Sequence, residues 1–98
     1  MFKLEIELKN TLPLNELNDM YKKLDSIFMK RDLLCAEKGD NKRVYVDKNG
    51  SKDYGNFWGA IFRIKDSKEL SDSLTRCQWY NGNPEGEDLI KSFMSVQV

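Results

Sequence analysis

A chain of 98 residues, 40% hydrophobic and 33% charged, is long enough for one hydrophobic core, too short for two and too apolar for disorder. Residues 1–98 therefore read as a single domain. Sixteen Lys plus Arg balance 16 Asp plus Glu, so no net field draws the chain to nucleic acid or to an anionic membrane, and histidine, the usual general base and metal ligand near neutral pH, is absent.

Phe2, Leu4, Ile6 and Leu8 alternate with Lys3, Glu5, Glu7 and Lys9, the period-two pattern of a strand with one apolar and one charged face. The strand breaks at Thr11-Leu12-Pro13. Leu14, Leu17, Tyr21, Leu24 and Phe28 then recur at three- and four-residue spacing, which predicts an amphipathic helix over 13–30 lying across the apolar face of that strand. Leu33-Leu34-Cys35-Ala36 and Val44-Tyr45-Val46 flank Gly39-Asp40-Asn41 and read as a hairpin, with a second turn at Asn49-Gly50. In 57–64, Trp58, Ala60, Phe62 and Ile64 alternate with Phe57, Gly59, Ile61 and Arg63. That stretch reads as a strand apolar on both sides, and so a central one.

Asp66 followed by Glu69 has the spacing of a helix start, and Leu70 and Leu74 give the short helix one apolar stripe. A strand follows over 75–80. The turn-rich Asn81-Gly82-Asn83-Pro84-Glu85-Gly86 ends it, and a last helix is predicted with Glu87 and Asp88 at its positive end and Leu89, Ile90, Phe93 and Met94 on its buried face. The order β-α-β-β-β-α-β-α lacks regular βαβ alternation. It predicts an α+β fold: an antiparallel or mixed sheet of about five strands with three helices packed on it.

The chemistry-bearing patterns are sparse. Neither GxGxxG nor GxxxxGK[ST] occurs, serine and cysteine have no recognisable activating base, and the alternating Asp/Asn ligands of a calcium loop are missing. Glu5 and Glu7 share a strand face with Lys3 and Lys9 as a solvated charged surface, and Glu85, Glu87 and Asp88 suit a helix start without any catalytic role. Cys35 and Cys77 lack metal-ligand spacing and read as small core or half-buried thiols. The expectation is a binding protein rather than an enzyme, with no catalytic residue, no cofactor and no metal. The amino terminus shows no secretion signal and no segment has the roughly 18 apolar residues of a membrane span, so a cytoplasmic location is expected, without membrane partners.

Charge is uneven even though it sums to zero. Residues 20–52 hold nine basic against five acidic residues, and 66–98 hold six acidic against three basic. Six of the eleven aromatics gather in Asp53-Tyr54-Gly55-Asn56-Phe57-Trp58-Gly59-Ala60-Ile61-Phe62 and in Cys77-Gln78-Trp79-Tyr80-Asn81-Gly82-Asn83. Core packing accounts for Phe57, Phe62 and one or both tryptophans. Asp53, Tyr54, Asn56, Trp79, Tyr80 and Asn81, rimmed by Glu85, Glu87 and Asp88, combine rigid aromatic surface with polar groups. That is the composition of an interface anchor, fit for a basic protein partner.

In size, element order and the passages Leu12-Pro13-Leu14-Asn15-Glu16-Leu17, Asp53-Tyr54-Gly55-Asn56-Phe57 and Gln78-Trp79-Tyr80-Asn81-Gly82, the chain resembles the small immunity proteins of contact-dependent growth inhibition and other polymorphic toxin systems. The resemblance implies a cytoplasmic antitoxin that neutralises a cognate toxin domain, often a nuclease, by covering its active site or substrate groove. These proteins share no universal motif, so no residue role is carried over. The alternative is a single-stranded nucleic-acid module in which Tyr54, Trp58 or Tyr80 stack bases on the sheet while Lys38 to Lys52 track phosphates, against which the balanced charge argues. An open sheet edge would also allow a homodimer.

Overall fold

The computed structural model describes residues 1–39 and 41–91. The elements run β1 (Phe2–Leu8), α1 (Leu14–Met29), β2 (Leu34–Lys38), β3 (Lys42–Val46), a 3-10 turn (Gly50–Asp53), α2 (Tyr54–Asp66), α3 (Lys68–Ser73), β4 (Leu74–Asn81) and β5 (Glu87–Asp88). The strands form one sheet in the order β2-β3-β1-β4-β5, antiparallel at every junction, so the chain is α+β with a five-stranded open sheet and helices packed on it. Because β3 opposes both β1 and β2, those two run parallel across it, and β1 in the same way separates the parallel pair β3 and β4. Two strand-helix-strand crossovers, each with a strand inserted between its ends, make the split βαβ arrangement, which β5 extends by one short edge. No helix among the described residues is long and apolar enough to cross a membrane.

β1 is the central strand, and its alternation decides the layering. Leu4, Ile6 and Leu8 are fully buried and meet Tyr45 of β3 and Cys77 and Trp79 of β4 in the same core as the inward residues of α1 and α2. Burying each such side chain contributes about 1.5–3 kcal/mol. The opposite face carries Lys3, Glu5 and Glu7. Glu5 gathers Lys3 at 3.3 Å, Arg76 at 3.7 Å and Lys42 at 3.9 Å, while Arg76 also reaches Glu7 at 3.5 Å.

α1 forms where the spacing places it. Its buried stripe is Met20, Tyr21, Leu24 and Phe28, with Leu17 partly covered, whereas Leu14 in the first turn is 72% exposed and lies off the core. The helix ends in a Schellman-type reversal: Leu33 N donates to Phe28 O at 3.1 Å, and Asp32 takes φ +56°, a region aspartate tolerates better than most residues. β2 and β3 form the expected hairpin, with Asp40 of its turn outside the described residues.

The segment 57–64 is not a strand: Tyr54–Asp66 is helix α2. Its buried residues, Phe57, Ala60, Ile61 and Ile64, follow the i, i+3, i+4, i+7 spacing of a helix. Tyr54, Trp58 and Phe62 fill a second, outward stripe, and two apolar stripes on one helix imitate the continuous apolarity of a strand buried on both faces. The count of about five strands is nevertheless met, because Glu87–Asp88 pairs with β4 as β5 directly before the expected helical start, where Asp88 also serves as the cap. Residues 89–91 begin a helical turn there, with Ile90 N donating to Asp88 Oδ1 at 3.0 Å, and the expected Phe93 and Met94 lie outside the described residues. The cap of α3 is Ser67, whose Oγ accepts from Leu70 N at 3.3 Å. Asp66 is the last residue of α2.

Candidate partner-binding site

α2 enters the fold through Asp53. Its Oδ2 accepts from the backbone N–H of Lys48 and of Asn49, both at 2.7 Å, and its Oδ1 accepts from Asn56 Nδ2 at 3.1 Å. These bonds, the Asn49 N–H foremost, hold the carboxyl below its usual range by favouring the charged form. Asp53 is 1% exposed. It is therefore a strut that fixes the end of β3 to the start of α2, and Asn56 is occupied in the same network.

The strut sets the direction of Tyr54. Its ring packs edge-on to Phe2 at 5.5 Å and Trp79 at 6.3 Å between centroids, and lies 6.4 Å from Trp58, yet the residue stays 46% exposed. Trp58 is half-buried one turn on, with its ring 5.7 Å from Trp79 and 5.9 Å from Phe62, which is 55% exposed. Four-residue spacing thus lays Tyr54, Trp58 and Phe62 along one side of α2 as an aromatic stripe. The Trp58 indole N–H is buried without an acceptor among the described residues, a cost of about 1–3 kcal/mol.

At the amino-terminal end of the stripe lies a notch of about 260 Å³, between α2, the end of β4 and the loop into β5. Tyr54, Trp58 and the edge of Trp79 form its aromatic side, and Asn81, Asn83, Glu85 and Glu87 its polar side. The pairing of Glu87 with Trp79 puts Glu87 on the helix-facing side of the sheet. Gly86 holds the loop in place: its φ is +67°, and a Cβ there would stand 2.8 Å from the Tyr80 ring and 2.9 Å from Gln78 Nε2. No cationic residue lines the notch, and among the described residues neither Glu85 nor Glu87 is in an ion pair.

Of the nine residues singled out in the sequence, Tyr54, Trp79, Asn81, Glu85 and Glu87 converge on this notch. Trp79 is 3% exposed, however, and serves mainly as core, so neither it nor Asp53 offers surface to a partner. Tyr80 and Asp88 are half-buried and point to the other side of the sheet, Tyr80 beneath Lys3 Nζ at 4.4 Å from the ring centroid. Tyr54 and Trp58 stand on α2, so the three rings named for base stacking share no face. Phe62, expected in the core, is instead exposed, because it lies on the outward side of a helix; Trp58, considered for base stacking or the core, and Asn83 join the notch although neither was among the nine. Helical spacing from Tyr54 was the signal for the first two.

A second, larger groove of about 590 Å³ separates α1 from the carboxyl-terminal end of α2 and is lined by Lys22, Lys23, Lys30 and Arg63 with Asp66. The uneven charge of the sequence thus appears in space as a basic groove and an acidic notch. Burial pushes the Cys77 thiol up to about 12 and raises that of half-buried Cys35, so neither is poised as a thiolate. Tyr45 OH donates to Asp25 Oδ1 at 2.6 Å while its ring stacks on Phe28 at 3.8 Å, and burial raises its pKa. Among the described residues no three Cys, Asp or Glu side chains converge as metal ligands. In comparisons with known proteins, no family model matches the chain, and neither a curated protein nor a solved structure matches it.

Proposed function

We propose that this chain is an immunity protein: a cytoplasmic inhibitor that binds the toxic domain of a cognate bacterial effector and covers its active site or substrate groove, without catalysis of its own. One observation carries the reading. α2 presents Tyr54, Trp58 and Phe62 outward beside an acid-lined notch, where a helix with a purely structural task would present polar residues. Tyrosine and tryptophan are the residues that most often anchor protein interfaces, because they bring large contact area with few rotatable bonds. The notch also supplies a local negative field that the balanced total charge hides, and such a field suits the basic substrate groove of a nuclease.

The test is to mix the purified chain with the variable carboxyl-terminal domain of a large secreted protein encoded beside its gene. A one-to-one complex on size exclusion, with toxicity suppressed, is the expected result. Tyr54→Ala/Phe62→Ala should weaken it by roughly 30-fold, the equivalent of one interface hot spot. The absence of a complex, or unchanged affinity of the double variant, would remove the reading.

A further inference from the structure

Within the reading that this chain docks onto another protein, the notch beside Tyr54 has a chemistry of its own. At about 260 Å³ it lies below the roughly 300–1,000 Å³ of sites for drug-sized ligands, and its size suits one long side chain. Two aromatic residues, Tyr54 and Trp58, stand on one side, and two carboxylates, Glu85 and Glu87, stand on the other with no cation between them. Aromatic rings attract cations through their electron-rich faces, and carboxylates do so by charge. An anion would meet two like charges here. A neutral apolar group would leave both carboxylates and the Asn81 and Asn83 amides without new partners.

We infer that the notch receives a single arginine or lysine side chain of the protein partner, its stem against Tyr54 and Trp58 and its charged end between Glu85 and Glu87. The loop geometry supports a preformed receptor. Glu85 O accepts from Gln78 Nε2 at 3.4 Å, Glu87 is fixed by pairing with Trp79, and Gly86 between them allows no side chain without displacing Tyr80. Such a receptor loses less conformational freedom on binding than a mobile loop would. Phe62, farther along the stripe, lies outside the notch and contributes contact area only.

The test uses the intact chain labelled with ¹⁵N and three small probes: acetyl-arginine amide, acetyl-lysine amide and acetyl-citrulline amide, the last a neutral isostere of the first. Trp58→Phe assigns the two indole N–H signals. The Trp58 signal should shift saturably with at least one basic amide and not with the citrulline amide. Glu85→Gln/Glu87→Gln, confined to exposed side chains, should weaken that response by roughly tenfold while leaving the spectrum dispersed. Equal shifts from charged and neutral probes, no shift from either basic probe, or an undiminished response in the double variant would overturn the inference. The two proposals fail separately. Basic amides that bind while no effector domain forms a complex with the chain would keep the notch and remove the immunity role, and a complex of full affinity in Glu85→Gln/Glu87→Gln would do the reverse.

Discussion

Phe57 and Phe62 are the same residue on the same helix, five positions and so about 140° apart around its axis. Phe57 is fully buried, its ring 5.1 Å from Trp79, 6.2 Å from Phe2 and 6.4 Å from Phe28. Phe62 is 55% exposed and has Trp58 as its neighbouring ring. The inward face of α2 closes the core over β1 and β4, and the outward stripe leaves Tyr54 and Phe62 about half exposed with Trp58 half-buried between them. Residue type alone therefore does not separate packing from contact here. Position around the helix does.

The largest effect that bears on this contrast is predicted for the inward face. Phe57→Ala should cost about 3–5 kcal/mol, a large part of the roughly 5–15 kcal/mol that holds such a domain folded, and should be read as a lowered urea midpoint. Asp53→Asn comes next, at about 2 kcal/mol, because an amide cannot accept all three N–H bonds and sets one of its own donors against them. This variant also has a pH signature. The Asp53 carboxyl is held below its unfolded value of about 3.9, so its contribution is full above that pH and is lost as pH falls through the folded value. Thermal melts between pH 6 and pH 3 should show the wild-type advantage over Asp53→Asn shrinking at the acid end, and a constant gap would contradict the strut. Gly86→Ala should cost about 1–2 kcal/mol through its positive φ and the clash with Tyr80, and should also weaken partner binding by moving Glu85 and Glu87. Phe62→Ala should change stability least, by no more than about 0.5 kcal/mol.

The same contrast explains what could be read from the residues alone. β1 and α1 each bury one face and expose the other, so their periods of two and of three to four are clean in the sequence, whereas the β2-β3 hairpin, mostly exposed in β2 and buried at both Val44 and Tyr45 in β3, was marked by the turn residues between its strands. α2 is apolar on two sides, and its period is blurred for that reason. With 54–66 as a helix, the order β-α-β-β-α-β would have pointed to the split βαβ sheet directly. β5 was hidden differently, since two residues, Glu87 and Asp88, carry no pattern and pair only because the loop from Gly82 to Gly86 turns them back onto β4. The site was half legible. Tyr54, Asn81, Glu85 and Glu87 showed in composition, but which aromatics face outward depends on helix phase, and the burial of Asp53 on hydrogen bonds from residues before it in the chain.

If the proposed function is right, the outward stripe of α2 exists for contact and not for folding. Phe62→Ala measures this most directly when its urea unfolding and its affinity for the effector domain proposed as its partner are determined on the same preparation. The predicted result is an unfolding free energy within about 0.5 kcal/mol of wild type and an affinity lowered severalfold or more. A stability loss of 2 kcal/mol or more with affinity unchanged would place Phe62 among the structural aromatics and contradict the claim.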